Sequence, residues 1–207
     1  MLVTLTKDNW TKTTLGDVAE LVIGRTPKRK VSEYWTSDLT NPFLNIKGMR
    51  TEAFEEGVTQ TAIEAKEARM APPGALLMSF KLSVGRVYVP KREVYYNEAI
   101  VWIKPNEDLV HQDYLMYLLQ NVDWTDLGNE AVKGKTLNST SLKSLQLELP
   151  PSDEQERIVQ LMNETDNHID ALRDELSALE DLRENILHSL VTGHHEIPAG
   201  FDVQNFQ

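Results

Sequence analysis

The apolar positions change their period once along the chain, at Pro150-Pro151. Before that point they come in short runs punctuated by Gly, Pro and Asn, which predicts short strands, turns and brief helices. Ala75–Phe80, Val84–Val89 and Val94–Ile103, rich in Val, Tyr and Phe, read as strands. Pro72-Pro73-Gly74 precedes the first, and Gly85 interrupts the second. Asp113–Asn121 (DYLMYLLQN) predicts a short amphipathic helix and Ser141–Leu145 another, leading into a last strand, Gln146–Leu149. Residues 1–150 are therefore expected to form one mixed α/β (α+β) domain.

Beyond Pro151 the period becomes helical. Ser152 is placed to cap a helix, with Gln155 three residues on in the capping-box position. Steps of four and three run through Ile158, Met162, Thr165, Ile169, Leu172, Leu176, Leu179, Arg183, Ile186 and Leu190. That is a heptad stripe flanked by Asp and Glu, in which only Arg183 is charged. Gly193 stands where a helix C-terminus prefers it. Residues 151–192 are expected to form one coiled-coil helix, with 193–207 as a tail. At 1.5 Å per residue the helix is roughly 60 Å long. A domain of 150 residues is about 35–40 Å across. The helix outreaches it, and its Leu and Ile stripe needs a partner helix.

Charge follows the same division. The chain of 207 residues has a net charge of -11. Residues 1–150 carry 18 Lys and Arg against 19 Asp and Glu, and residues 151–207 carry 3 against 13. A uniformly acidic protein would repel duplex DNA. Here the acidity sits in the last quarter, so the first domain is free to present a basic face. There is no cysteine, which excludes disulfides and thiolate metal sites and fits a cytoplasmic setting. The start, MLVTLTKDNW, lacks the apolar core of a signal peptide, and runs such as Ala75–Met78 are too short to span a bilayer, so no membrane role is expected.

Catalytic signatures are missing. Leu149-Pro150-Pro151-Ser152 lacks both the polar first residue and the aromatic of the amino-methyltransferase tetrapeptide. No dinucleotide or Walker loop is present, since Gly128 lies one position too far from Gly134-Lys135-Thr136, and no G-x-S-x-G elbow occurs. His194-His195-Glu196 has no further placed ligands for a metal. Glu55-Glu56 and Glu107-Asp108 read as solvated loop charges. The basic loops offer more. Arg25-Thr26-Pro27-Lys28-Arg29-Lys30 sets four cations just after Gly24. Lys47 and Arg50 follow Asn45. Lys81, Ser83 and Arg86 lie between two strands, Lys91-Arg92 follows Pro90, and Lys133-Gly134-Lys135-Thr136 is a further Gly-containing loop. Lys and Arg neutralise phosphates while Gly allows close backbone approach, so these residues are the candidate DNA contacts.

The order of these blocks resembles the specificity (S) subunits of type I restriction-modification enzymes, from about Leu15 to Gly193. Leu15-Gly16-Asp17-Val18-Ala19-Glu20, Gly24-Arg25-Thr26-Pro27 and Tyr34-Trp35 are similar to the family's opening, with Arg25 in place of a usual second Gly. Pro42-Phe43-Leu44-Asn45-Ile46-Lys47-Gly48-Met49 resembles the next block. Pro73–Ser79 with Gly85, then Asn97-Glu98-Ala99, resemble the central strands, with Glu98 where many relatives have Gln. Most distinctive is Gly134-x-Thr136, then Leu142-x-x-Leu145-x-Leu147-x-Leu149-Pro150-Pro151, followed by Glu154-Gln155-x-x-Ile158.

The resemblance implies a division of labour. In that family each recognition domain reads one half of a bipartite DNA target through groove contacts. Two antiparallel helices fix the half-site separation. Catalysis belongs to partners: a modification subunit that binds S-adenosylmethionine and methylates adenine, and a restriction subunit that uses ATP and Mg. This chain is then expected to bind no cofactor itself and to be no enzyme. With one recognition domain and one helix it reads as a half-length form that pairs with a second copy, or as a fragment of a longer protein. A coiled-coil scaffold or antagonist that no longer reads DNA is the alternative.

Overall fold

The computed structural model describes residues 7–81, 83–124 and 138–193. Among them the strands are β1 (Thr11–Thr14), β2 (Ala19–Ile23), β3 (Trp35–Thr36), β4 (Phe43–Leu44), β5 (Gly57–Val58), β6 (Met70–Ala71), β7 (Leu76–Ser79), β8 (Val87–Tyr88), β9 (Val94–Tyr96), β10 (Ile100–Pro105) and β11 (Gln146–Leu149). The helices are α1 (Leu15–Val18), α2 (Ile46–Thr51), α3 (Gln60–Glu64), α4 (Gln112–Gln120), α5 (Ser139–Lys143) and α6 (Ser152–Val191). The expected mixed fold followed by a long helix is what forms.

The organising element is an antiparallel four-stranded sheet in the order β2-β10-β7-β8. Its two central strands are continuously apolar over Leu76–Met78 and Ile100–Ile103 because both faces are covered there. Side chains alternate across a strand. Leu76, Met78, Phe80, Val101 and Ile103 therefore face a core built with α1, α4, α5 and β11. Ala75, Leu77 and Ile100 face a second core with Leu44, Met49 and Tyr96. A small third cluster packs Phe43, Val58 and Ala62 with Trp35, whose ring meets Phe43 edge-on at 5.0 Å. β1 pairs with β11, Thr11 opposite Leu149, and so ties the start of the domain to its last strand.

Three expected elements shift, each for a local reason. Val94–Ile103 is two strands in two sheets. Asn97 breaks it: its side-chain oxygen accepts from Ala99 N (3.1 Å) and its carbonyl from Ile100 N (3.1 Å), a turn that sends β9 to β4 and β6 and β10 to β7. Val84–Val89 shrinks to Val87–Tyr88, because Ser83 (φ 51) and Gly85 (φ 85) are left-handed and complete the hairpin turn. The helix expected at Ser141–Leu145 begins at Ser139, because Asn138 caps it by accepting from Thr140 N and Ser141 N, both at 2.9 Å.

The capping-box expectation for α6 is overturned. Gln155 does not turn back towards Ser152. It is 2% exposed, accepts from His111 N (2.9 Å), and donates to Pro150 O (2.9 Å) and Leu109 O (3.2 Å). Pro151 O accepts from Glu154 N and Gln155 N and opens the helix, while Ser152 Oγ meets His111 Nε2 at 2.7 Å. The capping reading misses this because the polar groups of Leu109 and His111 compete for the amide, and they lie over forty residues away. Ile158 and Val159 also pack on the head's core, so the compact head closes at Val159, two turns inside the helix. Gly193 (φ 72) ends the helix as expected.

Burial pushes the phenols of Tyr96 and Tyr114 up to about 12. In the unfolded chain both ionise near 10. Their contribution is complete below pH 10 and is lost as pH rises from 10 towards 12. Denaturant titrations at pH 9 and pH 11 should show a clear drop, and Tyr96→Phe should reduce it. Equal stabilities at both pH values would refute the assignment.

Candidate nucleic-acid interface

Gly24 ends β2 and lets the backbone pass against the β9–β10 turn. Its N donates to Ile100 O at 3.0 Å, Arg25 N donates to Tyr96 O at 2.9 Å, and a Cβ at Gly24 would fall 2.1 Å from Asn97 O. From there the basic loop is laid over acidic and carbonyl groups. The Arg25 guanidinium donates to Lys66 O, and the Thr26 hydroxyl donates to the Glu98 carboxylate. Lys28 pairs with Glu67 at 3.2 Å. Arg29 pairs with Glu56 at 2.6 Å and lies 3.7 Å over the Trp35 ring. The Thr26 hydrogen bond holds Glu98 below the usual carboxylate range against the burial that raises it, with help from the charges of Lys81 and Arg29. The loop at 25–30 and the β7–β8 turn thus share one neighbourhood.

The other candidates lie on α2, at 91–92 and in the β7–β8 turn itself. Lys47, on α2, pairs with Glu55, and Arg50 is exposed in the last turn of the same helix. Arg92 donates to Leu39 O (2.8 Å) and Thr40 O (3.0 Å), beside exposed Lys91. Lys81 stands 5.5 Å from the Phe80 ring centre. Ser83 gives its carbonyl to the buried Ser79 hydroxyl, while Arg86 O accepts from Ser79 N (2.9 Å) and Arg86 N donates to Ser79 Oγ (3.2 Å). Lys30, Arg50, Lys81, Arg86 and Lys91 have no ion pair among the described residues. Lys133, Lys135, Thr136, the His194-His195-Glu196 cluster and the rest of the tail from 194 lie outside the described residues.

The sequence reading missed the carboxylates Glu56, Glu67 and Glu98 that meet the loop. They lie between 27 and 72 residues from the loop residues they meet, and no local pattern announces the pairing. Exposed ion pairs of this kind are worth about 0–1 kcal/mol, so a phosphate can displace a glutamate from Lys28 or Arg29 at small cost. Glu98 differs from the other two in meeting a hydroxyl, that of Thr26, and not a cation. Among the described residues no group of His, Asp or Glu is arranged to hold a metal.

On α6, Ile158 and Met162 are half-buried, and Ile158 belongs to the head's own core. Ile169, Leu172, Leu176, Leu179, Ile186 and Leu190 are exposed along the stripe, with exposed Thr165 before them and Arg183 among them. Exposed Leu182, Leu187 and Val191 widen it in the second half, an addition the strict heptad reading left out. No described helix is long and apolar enough to cross a membrane.

Residues 7–181 match the family described as the type I restriction modification DNA specificity domain. The chain belongs to this family. The match takes in both head and helix. Among curated relatives, the type I restriction enzyme MjaIX specificity subunit of Methanocaldococcus jannaschii is 24% identical over 183 residues, covering 84% of this chain and 42% of the relative. The putative MjaX specificity subunit of the same organism is 27% identical over 111 residues, covering 51% of this chain and 26% of the relative. Among solved structures, the HsdS subunit from Thermoanaerobacter tengcongensis superposes with a TM-score of 0.62 at 20% identity, covering 90% of this chain and 46% of that one. A chain from a structure described by the complex assembly and conformational transition of the type I R-M system gives 0.62 at 22% identity, covering 90% and 47%. These likenesses show the fold, a mixed recognition domain with a long C-terminal helix. The chain spans about half the length of the specificity subunits it matches.

Proposed function

We propose that this chain is the non-catalytic DNA-reading component of a type I restriction-modification complex, and that its head reads one half-site of a bipartite target. Two copies pair through antiparallel α6 helices into a two-fold assembly, which reads a palindromic, interrupted site. Modification and restriction subunits dock on it and hold the S-adenosylmethionine, ATP and Mg that the chemistry needs. The target adenine is flipped out for methylation while this chain holds the duplex. The observation that carries the reading is the single DNA-specificity match running through both the head and the exposed stripe of α6.

Mapping methylated adenines in cells that express this chain with its modification subunit tests it. The expected result is one interrupted palindrome, methylated on both strands. A non-palindromic site overturns the pairing, and no methylation at all overturns the assignment. The head's grip is tested separately. Alanine at Arg25, Lys28 and Lys81 is expected to weaken binding to random duplex. It should also flatten the salt dependence, by about 0.9 in log–log slope for every phosphate no longer neutralised. Unchanged affinity and slope would move the DNA face elsewhere. Absence of any salt-dependent binding by the unsubstituted chain would favour a scaffold or antagonist.

A further inference from the structure

The exposed stripe of α6 carries information about how it pairs. Its two polar members, Thr165 and Arg183, lie equally far from the middle of the run, which falls at residue 174. In an antiparallel pair centred there, Ile158 faces Leu190, Met162 faces Ile186, Ile169 faces Leu179 and Leu172 faces Leu176. The one remaining layer sets Thr165 against Arg183, twice, by the two-fold.

From this symmetry we propose that α6 is self-complementary in a single antiparallel register, locked by Arg183 of each copy seated on Thr165 and its neighbour Asp166 in the other. The inference rests on the pairing proposed above and specifies it. The chemistry of the layer suits it. The Thr165 hydroxyl donates its proton to Leu161 O at 2.8 Å, so its oxygen remains available as an acceptor for the guanidinium. The carboxylate of Asp166, at the flanking position of the heptad, stands beside it. Arg183 itself stands in an apolar patch with Leu179, Leu182, Ile186, Leu187 and Leu190, where a partner surface without acceptors would leave its charge covered and unpaired.

The competing arrangements fail at this layer. A parallel pair sets Arg183 against Arg183. Sliding an antiparallel pair by one heptad puts Arg183 against Leu172 in one direction. In the other it meets Ile158, which offers the guanidinium no acceptor either. Both slips also bury Thr165 against leucine. The centred register has its like-charge contacts at the rim: Glu175 and Arg173 each approach their own copies, and Asp166 approaches Glu180. Rim charges are weak and screened by salt, whereas a covered cation without acceptors is expensive, so the seam decides. The register bears on function, because one heptad of slip moves the two helices past each other by about 10 Å. At 3.4 Å per step that is about three base pairs of half-site spacing.

The chain has no cysteine, so single thiols report the register directly. Leu172→Cys in one copy, mixed with Leu176→Cys in another, brings two thiols into one layer within disulfide reach. Oxidised full-length mixtures should give at least about tenfold more cross-linked dimer for this pair than for Ile169→Cys with Leu172→Cys, or for Leu176→Cys with Leu179→Cys, which report the two slips. Preference for either slipped pair overturns the register. With Arg183→Leu added, cross-linking should spread to the slipped pairs; if it stays confined, Arg183 is not the lock. Sedimentation of the unsubstituted chain separates the layers of the argument. A solitary chain overturns the pairing and the register together, whereas a dimer with the wrong cross-links overturns the register alone.

Discussion

Aspartate in place of both Leu172 and Leu176 is expected to convert the assembly to monomers while leaving the head folded. The two leucines are 51% and 57% exposed on the isolated helix, so about half of each side chain remains to be covered by a partner. Covering that half is worth about 1 kcal/mol per leucine. The two-fold brings four of them into the central layers, about 4 kcal/mol in all. Four carboxylates in the same place add repulsion. At 1.4 kcal/mol per tenfold, the loss is at least about a thousandfold in dimer affinity. Both positions lie beyond Val159, where the compact head ends, so the head's melting transition should not move. Sedimentation equilibrium reads the first effect and calorimetry the second. A dimer of unchanged affinity would show that the stripe is not the interface, and the palindromic target would lose its basis.

The opposite salt dependence of the two activities follows from the same charge distribution. Residues 151–207 carry 13 acidic against 3 basic side chains, so two helices side by side repel. Screening eases that repulsion, and dimer affinity rises with salt. DNA affinity falls with salt, because bound cations release counterions from the duplex. One protein whose self-association strengthens while its DNA binding weakens is a pattern that a uniformly basic DNA-binding protein does not give.

The sequence was legible where one physical requirement acts alone. β11 is found at the expected Gln146–Leu149, since its alternation serves one buried face and its ends are set by turns. The long helix is legible for the same reason: with little to pack against after Val159, its stripe keeps the undisturbed heptad period. Legibility fails where distant groups compete for the same atoms. Val94–Ile103 is continuously apolar, and the strand reading overlooks that Asn97 satisfies Ala99 and Ile100 locally and splits it. The candidate DNA face fails in a subtler way. Counting cations located the loop at Arg25–Lys30, but nothing near it in sequence told that Glu56, Glu67 and Glu98 converge on Arg29, Lys28 and Thr26. Charge counted along a chain is therefore a poor guide to charge available to phosphate. The candidate cations with neither an ion pair nor a side-chain hydrogen bond among the described residues, Lys30, Arg50, Lys81, Arg86 and Lys91, are spread over several loops and α2.

Gln155→Ala is expected to be among the most damaging single changes in the head. The amide satisfies three backbone groups at the join with α6: His111 N–H, Leu109 C=O and Pro150 C=O. Buried polar groups left without partners cost about 1–3 kcal/mol each. Water can reach some of them once the side chain is gone, so a total near 3 kcal/mol is expected, or a fall of roughly 10 °C in melting temperature for a protein of this size. Gln155→Glu separates hydrogen bonding from shape. A glutamate keeps the acceptor for His111 N–H but, when ionised, turns an oxygen towards two carbonyls in a buried site. Folding must then raise its pKa, so its stability is lost as pH rises and regained on acidification, when the protonated carboxyl can donate to one carbonyl. Thermal melts of Gln155→Glu at pH 5 and pH 7.5 should therefore show the variant closer to the unsubstituted protein at pH 5, while Gln155→Ala shows no such recovery. If alanine is tolerated within about 1 kcal/mol, or if glutamate behaves alike at both pH values, the amide does not hold the helix to the head. The first two turns of α6 would then have to be held on the head by the packing of Ile158 and Val159 alone.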